Sequence, residues 1–182
     1  MAGLNTTLIS NPSGNYALGA DLTLTGTTPN WTPVGSNSSL FFTGKFDGLG
    51  HTITNMRPSD DLDLYLPVAG MFGITVNAAL SNLTLADVVI NSSNNYVGSL
   101  VGYAYNTQIH NVAVSGGSVA SQDVKVGGLV GFLEGGRITK SHASSSVSGY
   151  QYVGGLVGLV DCDVGGCVTT IDESWANGTV TG

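Results

Sequence analysis

A six-residue phrase recurs four times along this chain, as VAGMFG at 68–73, VGSLVG at 97–102 and VGGLVG at both 126–131 and 153–158. The copies start 29, 29 and 27 residues apart. A fixed period in this range marks a solenoid, in which one supersecondary unit stacks on the next because no unit can bury its apolar face alone.

Two further apolar columns follow the phrase. Leu80, Ile109 and Ile138 each lie twelve residues beyond a phrase start, and Ile171 takes the same place in the fourth copy after six extra residues within LVDCDVGGCVTT. Insertions in solenoids leave the stack on one face, so this segment is expected outside it. Val89, Val119, Val147 and Val180 form the third column. Three short apolar segments per unit, separated by Gly, Ser, Asn and Asp and without helical periodicity, predict an all-β fold, a parallel β-helix (β-solenoid). The expected size is about 28 residues per coil and five to seven coils, a rod of roughly 25–35 Å at one strand spacing per coil.

Stacking like on like predicts a ladder of Met71, Leu100, Leu129 and Leu156, beside a column of Phe72, Val101, Val130 and Val157. Neighbouring strand residues point to opposite faces, so both columns can face inward only if the glycine pair bends the chain. Gly73, Gly102, Gly131 and Gly158 close the phrase, where glycine's tolerance of positive φ would be used. Upstream, NYALGADLTLTG (15–26) and GKFDGLGHTITNM (44–56) read as earlier, irregular coils, with excursions at 25–39 and 57–67. The expected organisation is a single β-solenoid domain over 1–182, with irregular coils over 1–67 and repeats at 68–96, 97–125, 126–152 and 153–182. No cap follows the last repeat, which fits a fragment of a longer repeat protein.

Only 9% of the residues are charged and the net charge is −7. The five basic residues, Lys45, Arg57, Lys125, Arg137 and Lys140, form no cluster. Displacing the counterions of a phosphate backbone takes several Lys or Arg side chains together, so nucleic acid is not an expected partner. No apolar run reaches the roughly 20 residues of a membrane span.

Little in the chain suggests chemistry. His51, His110 and His142 make neither a column nor an i, i+4 metal pair. Asp60, Asp61 and Asp63 form the densest acidic group, but lack EF-hand spacing, and a solvated loop is the expected reading over a Ca²⁺ site. Asp161 and Asp163 are read the same way. Glu134 and Arg137 share a turn, and Asp172 and Glu173 are adjacent, which on a regular strand would place them on opposite faces. No catalytic, cofactor or metal residues are assigned, and no enzyme activity is expected. Cys162 and Cys167, in C-x4-C spacing, suit a small loop disulfide in an exported protein, with free thiols the alternative. Tyr96 and Tyr152 precede their phrases with Lys125 between them, and Tyr103 and Phe132 follow theirs. Ladder packing is the expected role of these aromatics, and stacking on sugar rings the alternative.

The phrase VGGLVG resembles the core of the GLUG motif. The series NYALGADLTLTG, NWTPVG and FTGKFDGLGHTITNM resembles the region that precedes GLUG repeats in filamentous-haemagglutinin-like bacterial surface adhesins. This resemblance covers about residues 12–182, with VAGMFG lacking the double glycine and the cysteine-bearing insertion as departures. It implies a right-handed parallel β-helix, an extracellular or cell-surface location and no catalytic residues. GLUG repeats also accompany a metallopeptidase domain in some secreted proteases, but no H-E-x-x-H zinc motif is present here.

The function expected is a non-enzymatic adhesin or stalk segment. It would present loops 25–39, 57–67 and 159–170 to a host or neighbouring-cell surface protein or glycan. Two alternatives stand beside it: a filament subunit joined end to end through open coil ends, and a carbohydrate-active β-helix enzyme.

Overall fold

The computed structural model describes residues 2–36, 40–60, 67–162 and 167–182. It is a mostly-β parallel solenoid of about five turns, with ~29 residues per turn. Each phrase opens a coil. Its first residues form a narrow sheet of Val68–Ala69, Tyr96–Gly98, Lys125–Gly127 and Val153–Gly154. The chain then bends and continues in the largest sheet, which includes Phe72–Val76, Val101–Ser115, Val130–Thr139 and Val157–Asp161. A third sheet, Val89–Ser92, Ser118–Ser121, Ser146–Ser148 and Val180–Thr181, completes the coil.

The ladders have the predicted register at the phrase. Val101 pairs with both Phe72 and Val130, and Val130 with Val157. The backbone N–H of Leu100 donates to Leu129 O at 3.0 Å, and that of Leu129 to Leu156 O at 2.9 Å. Met71, Leu100 and Leu129 are buried, and so are Phe72, Val101 and Val130. Both columns reach the interior because the third and fourth residues of each phrase sit at a bend between two sheets.

The glycines that close the phrase serve close approach, not positive φ. Gly73, Gly102, Gly131 and Gly158 are absent from the residues with left-handed backbone. A Cβ on Gly131 would lie 2.5 Å from Val97 N and 2.7 Å from Gly102 O. A Cβ on Gly127 would collide with the carbonyl oxygen of Val130. The corner folds so sharply that backbone meets backbone, and no side chain fits between.

The second column also holds and extends upstream. Ile109 pairs with Leu80 and Ile138, Ile138 with Ile171, Leu80 with Phe46, and Phe46 with Tyr16. The third column is corrected by one residue. Ile90, not Val89, faces Val119, while Val89 pairs with Ser118. A one-residue slip exchanges the two faces, so Ile90 is buried and Val89 points outward.

Left-handed residues turn the remaining corners. Asn77 and Asn106 (φ 53 and 44) occupy one, with Gly135 (φ 70) in the next coil. Asn82 and Asn111 (φ 52 and 54) occupy another, followed by Lys140 and Glu173 (φ 51 and 48). The amide of Asn106 donates to Asn77 Oδ1 at 2.7 Å, and that of Asn111 to Asn82 Oδ1 at 2.9 Å. Asparagine suits these positions because its short polar side chain tolerates left-handed backbone. Each such residue adds one outward position, so the 15-residue strand Val101–Ser115 wraps the core with its alternation shifted at each corner.

Two departures from the sequence expectation lie upstream. Residues Ala2–Ser10 form an α-helix, α1, whose Leu8 is buried in the core cluster. Asn5 Nδ2 donates to Thr32 O, Thr32 N donates to Asn5 Oδ1, and Tyr16 OH donates to Asn11 O at 2.6 Å. The helix therefore closes the start of the stack. The excursion 25–39 is also largely part of the wall, as far as it is described. Val34 pairs with Phe72, Trp31 pairs with Pro58, and the buried Trp31 donates Nε1–H to Met71 O at 2.8 Å. Trp-Thr-Pro-Val-Gly thus occupies the place that the phrase takes in later coils.

Candidate functional site

The most chemically varied cluster lies on the outer surface beside the phrase corner. Tyr103 and Phe132 are register partners, and their rings stack with centroids 5.1 Å apart. Tyr96, across the corner, stacks on both at 5.6 and 5.9 Å. Lys125, the register partner of Tyr96, holds its ammonium 4.7 Å from the Tyr96 ring centroid and 5.5 Å from that of Phe132. The Tyr103 hydroxyl donates to Glu134 Oε2, and Glu134 is nearly buried.

Burial raises the pKa of the Tyr103 phenol, and the hydrogen bond to Glu134 raises it further. Burial also raises Tyr96, with the charges of Asp123 and Glu134 adding to it. The Tyr103 phenol is the donor in its bond to Glu134. The ring faces are already used by one another and by Lys125, which is the ladder packing expected of aromatics on a solenoid face. Tyr152 does not join them; it takes a left-handed backbone (φ 49) and is exposed.

The histidines are dispersed. His51 Nδ1 lies 3.1 Å from Asp21 Oδ1, His110 Nδ1 lies 2.8 Å from Thr139 Oγ1, and His142 stacks flat on Trp175 at 4.4 Å and 6°. The backbone N–H of Thr52 donates to Asp21 at 2.9 Å and lowers its pKa, with His51 adding to the effect. Among the described residues no three His, Cys, Asp or Glu side chains gather as a metal site. Asp61, Asp63 and Asp163 lie outside the described residues. Arg137 Nη2 and Asp172 Oδ2 form an exposed ion pair at 3.5 Å. Asp172 and Glu173 do not point to opposite faces: the left-handed turn at Glu173 leaves both exposed.

Cys162 and Cys167 are joined as a disulfide, with Cα atoms 5.8 Å apart. The link spans the insertion at the corner where Gly135 turns the previous coil: Glu134 pairs with Asp161 and Gly136 with Thr169. Residues 163–166 of that loop lie outside the described residues. Of the three proposed contact loops, 25–36 is built into the wall. The segment 57–67 is anchored at Ser59, whose N–H donates to Trp31 O at 2.8 Å, and its residues 61–66 are not described. The segment 159–170 is strand at both ends, with exposed Val168 between them.

Residues 2–116 match the family described as the M26 IgA1-specific metallo-endopeptidase N-terminal region. The chain belongs to this family. Residues 125–148 match the GLUG motif. No curated protein matches the chain. Among solved structures, the chain is similar to the crystal structure of a candidate immunoglobulin A1 protease from Bacteroides ovatus, with a TM-score of 0.64 at 20% identity. The match covers 97% of this chain and 65% of that one, and at this identity it speaks for the fold. IgA1 protease family proteins are secreted or surface proteins of bacteria. The match to the M26 N-terminal region ends within the second phrase coil, and the GLUG match takes up the third.

Sequence reasoning missed the Tyr103–Glu134 pair and the Asn columns. The Asn columns were readable, since Asn77 and Asn106, like Asn82 and Asn111, keep the 29-residue spacing.

Proposed function

We propose that this chain is a non-catalytic, extracellular scaffold of the adhesin or stalk kind, holding a cell-surface protein or glycan against the outer face of a rigid rod. The observation that carries this reading is the match to the N-terminal region of a secreted protease family in a chain without an H-E-x-x-H motif. The outer surface supports it. Ser, Thr and Asn side chains repeat there in register, as in Ser118 with Ser146 and Asn82 with Asn111, and offer many weak contacts to a multivalent partner. The resemblance to filamentous-haemagglutinin-like adhesins points the same way.

The family description favours a second reading, in which the partner is immunoglobulin A1 and the rod positions it for a protease. Surface plasmon resonance of the chain against a glycan panel, bacterial and epithelial surface extracts, and immunoglobulin A1 separates the readings. Binding to glycan or surface extract supports the adhesin, and binding to immunoglobulin A1 alone supports the substrate-holding role. Turnover of a glycan on the panel would instead revive the carbohydrate-active enzyme.

A further inference from the structure

One corner of the stack is built differently in the fourth phrase coil. In the two coils before it a single left-handed residue turns the chain: Asn106 between Tyr105 and Thr107, then Gly135 between Glu134 and Gly136. In the fourth, Asp161 pairs with Glu134 and Thr169 with Gly136, so residues 162–168 stand where Gly135 stands alone. An unclosed link of that length reaches roughly 25 Å, whereas the two positions it joins are held by their partners to the span of a single residue.

The Cys162–Cys167 bond closes that difference. It holds the two Cα atoms 5.8 Å apart, so the chain leaves the wall and returns to it at one place. The bond also rests on the corner of the preceding coil. A Cβ on Gly135 would stand 3.4 Å from Cys167 Sγ. Cys162 Sγ lies 3.6 Å from Thr169 Oγ1, and that hydroxyl accepts the Gly135 N–H at 3.0 Å. The amide ladder of Asn77 and Asn106 ends at Gly135, and the sulfur pair takes the next place in the column.

We propose that Cys162–Cys167 is a reversible thiol–disulfide exchange site whose redox state latches this coil in register on the one before it. Two features select that role over a general staple. The bond closes a short loop, and cross-links across short loops restrain the unfolded chain least. Cys162 is exposed, and exposed disulfides are the ones that exchange with thiols. The thiolate of a small dithiol attacks Cys162 Sγ, forms a mixed disulfide there and releases Cys167 as a thiolate. The second thiol of the reagent then displaces Cys162. The dithiol ends as its cyclic disulfide, and two electrons and two protons have passed to the cysteines.

With the bond open, the N–H groups of Gly135 and Gly136 lose the fixed return of the chain that brings them Thr169 Oγ1 and Val168 O. The pairing of Arg137–Thr139 with Thr170–Asp172 follows directly along the chain and loosens with them. The strand Val101–Ser115, on the far side of Val130–Thr139, keeps its partners. The inference is independent of what the outer face binds.

Residue-resolved hydrogen exchange with and without dithiothreitol tests it, while alkylation and mass measurement count the cysteines that open. The expected result is two alkylated cysteines in the folded chain and exchange about tenfold faster at Gly135 and Gly136, with Val101–Ser115 unchanged. Reoxidation should restore the slow exchange. The double variant Cys162→Ser, Cys167→Ser should exchange as the reduced chain does, with or without the reagent. A chain lacking residues 162–167 and carrying Val168→Gly rebuilds the one-residue corner. It should exchange slowly at Gly136 and ignore dithiothreitol. A bond that resists the reagent in the folded chain, unchanged exchange at Gly135 and Gly136 once it is reduced, or loss of protection through Val101–Ser115 as well overturns the proposal.

Discussion

Single residues decide how the coil turns. Asn82 and Asn111 share one corner and hydrogen-bond along the rod, but Lys140 takes the next place with the same left-handed backbone and no such amide. A long side chain there carries the backbone penalty without the ladder. Lys140→Asn should extend the ladder and raise stability by about 0.5–1 kcal/mol, read as a higher midpoint in urea denaturation. Tyr103 makes a second residue-level prediction. Its phenol is raised above the ordinary value of 10.0 in the folded chain. The folded state therefore prefers the protonated phenol, and this contribution is complete below pH 10 and lost as pH rises through the higher folded value. Spectrophotometric titration should show the Tyr103 phenol ionising above its ordinary value of 10.0, with Tyr96 raised as well. Glu134→Gln should bring that step down only part of the way, because burial is the larger cause.

At the scale of elements, the phrase corner is a backbone contact. Gly131→Ala would force a methyl group against Val97 N and Gly102 O across two coils. The loss should be about 3 kcal/mol or more, since the crowded atoms are backbone and cannot rotate away. Gly19→Ala serves as the control, because a Cβ there meets nothing within 4 Å and the backbone is not left-handed. It should be near neutral in the same denaturation experiment. Helix α1 is a different kind of element. Its sequence carries no strong amphipathic signal, and it holds its place through Leu8 and the reciprocal Asn5–Thr32 hydrogen bonds. Leu8→Ala should cost about 2–3 kcal/mol by emptying a buried site at the end of the stack. Hydrogen exchange should quicken first in the opening coil, at Asn15–Ala17.

At the scale of the whole molecule, stability should be greatest where a coil is stacked on both sides, because each coil is held chiefly by its neighbours. Amides of the central strand Val101–Ser115, paired on both sides, should exchange most slowly among the strands. Uniform protection from end to end would contradict this gradient.

The periodicity by itself determined which residues stack. A coil of constant length pairs every backbone group with the next coil, so Leu100 must meet Leu129, and Ile109 must meet Ile138. Register therefore survives translation from sequence to structure wherever the 29-residue step holds. The cross-section was decided only by the tertiary structure. Whether Val89 or Ile90 faces inward, whether Asp172 and Glu173 diverge, and why the phrase ends in glycine all depend on corners. Those corners are set by left-handed residues and by close approach between segments far apart in the chain. The same holds for Trp31 and α1: neither lies in a repeat, and their places follow from the core surface that the repeats leave uncovered.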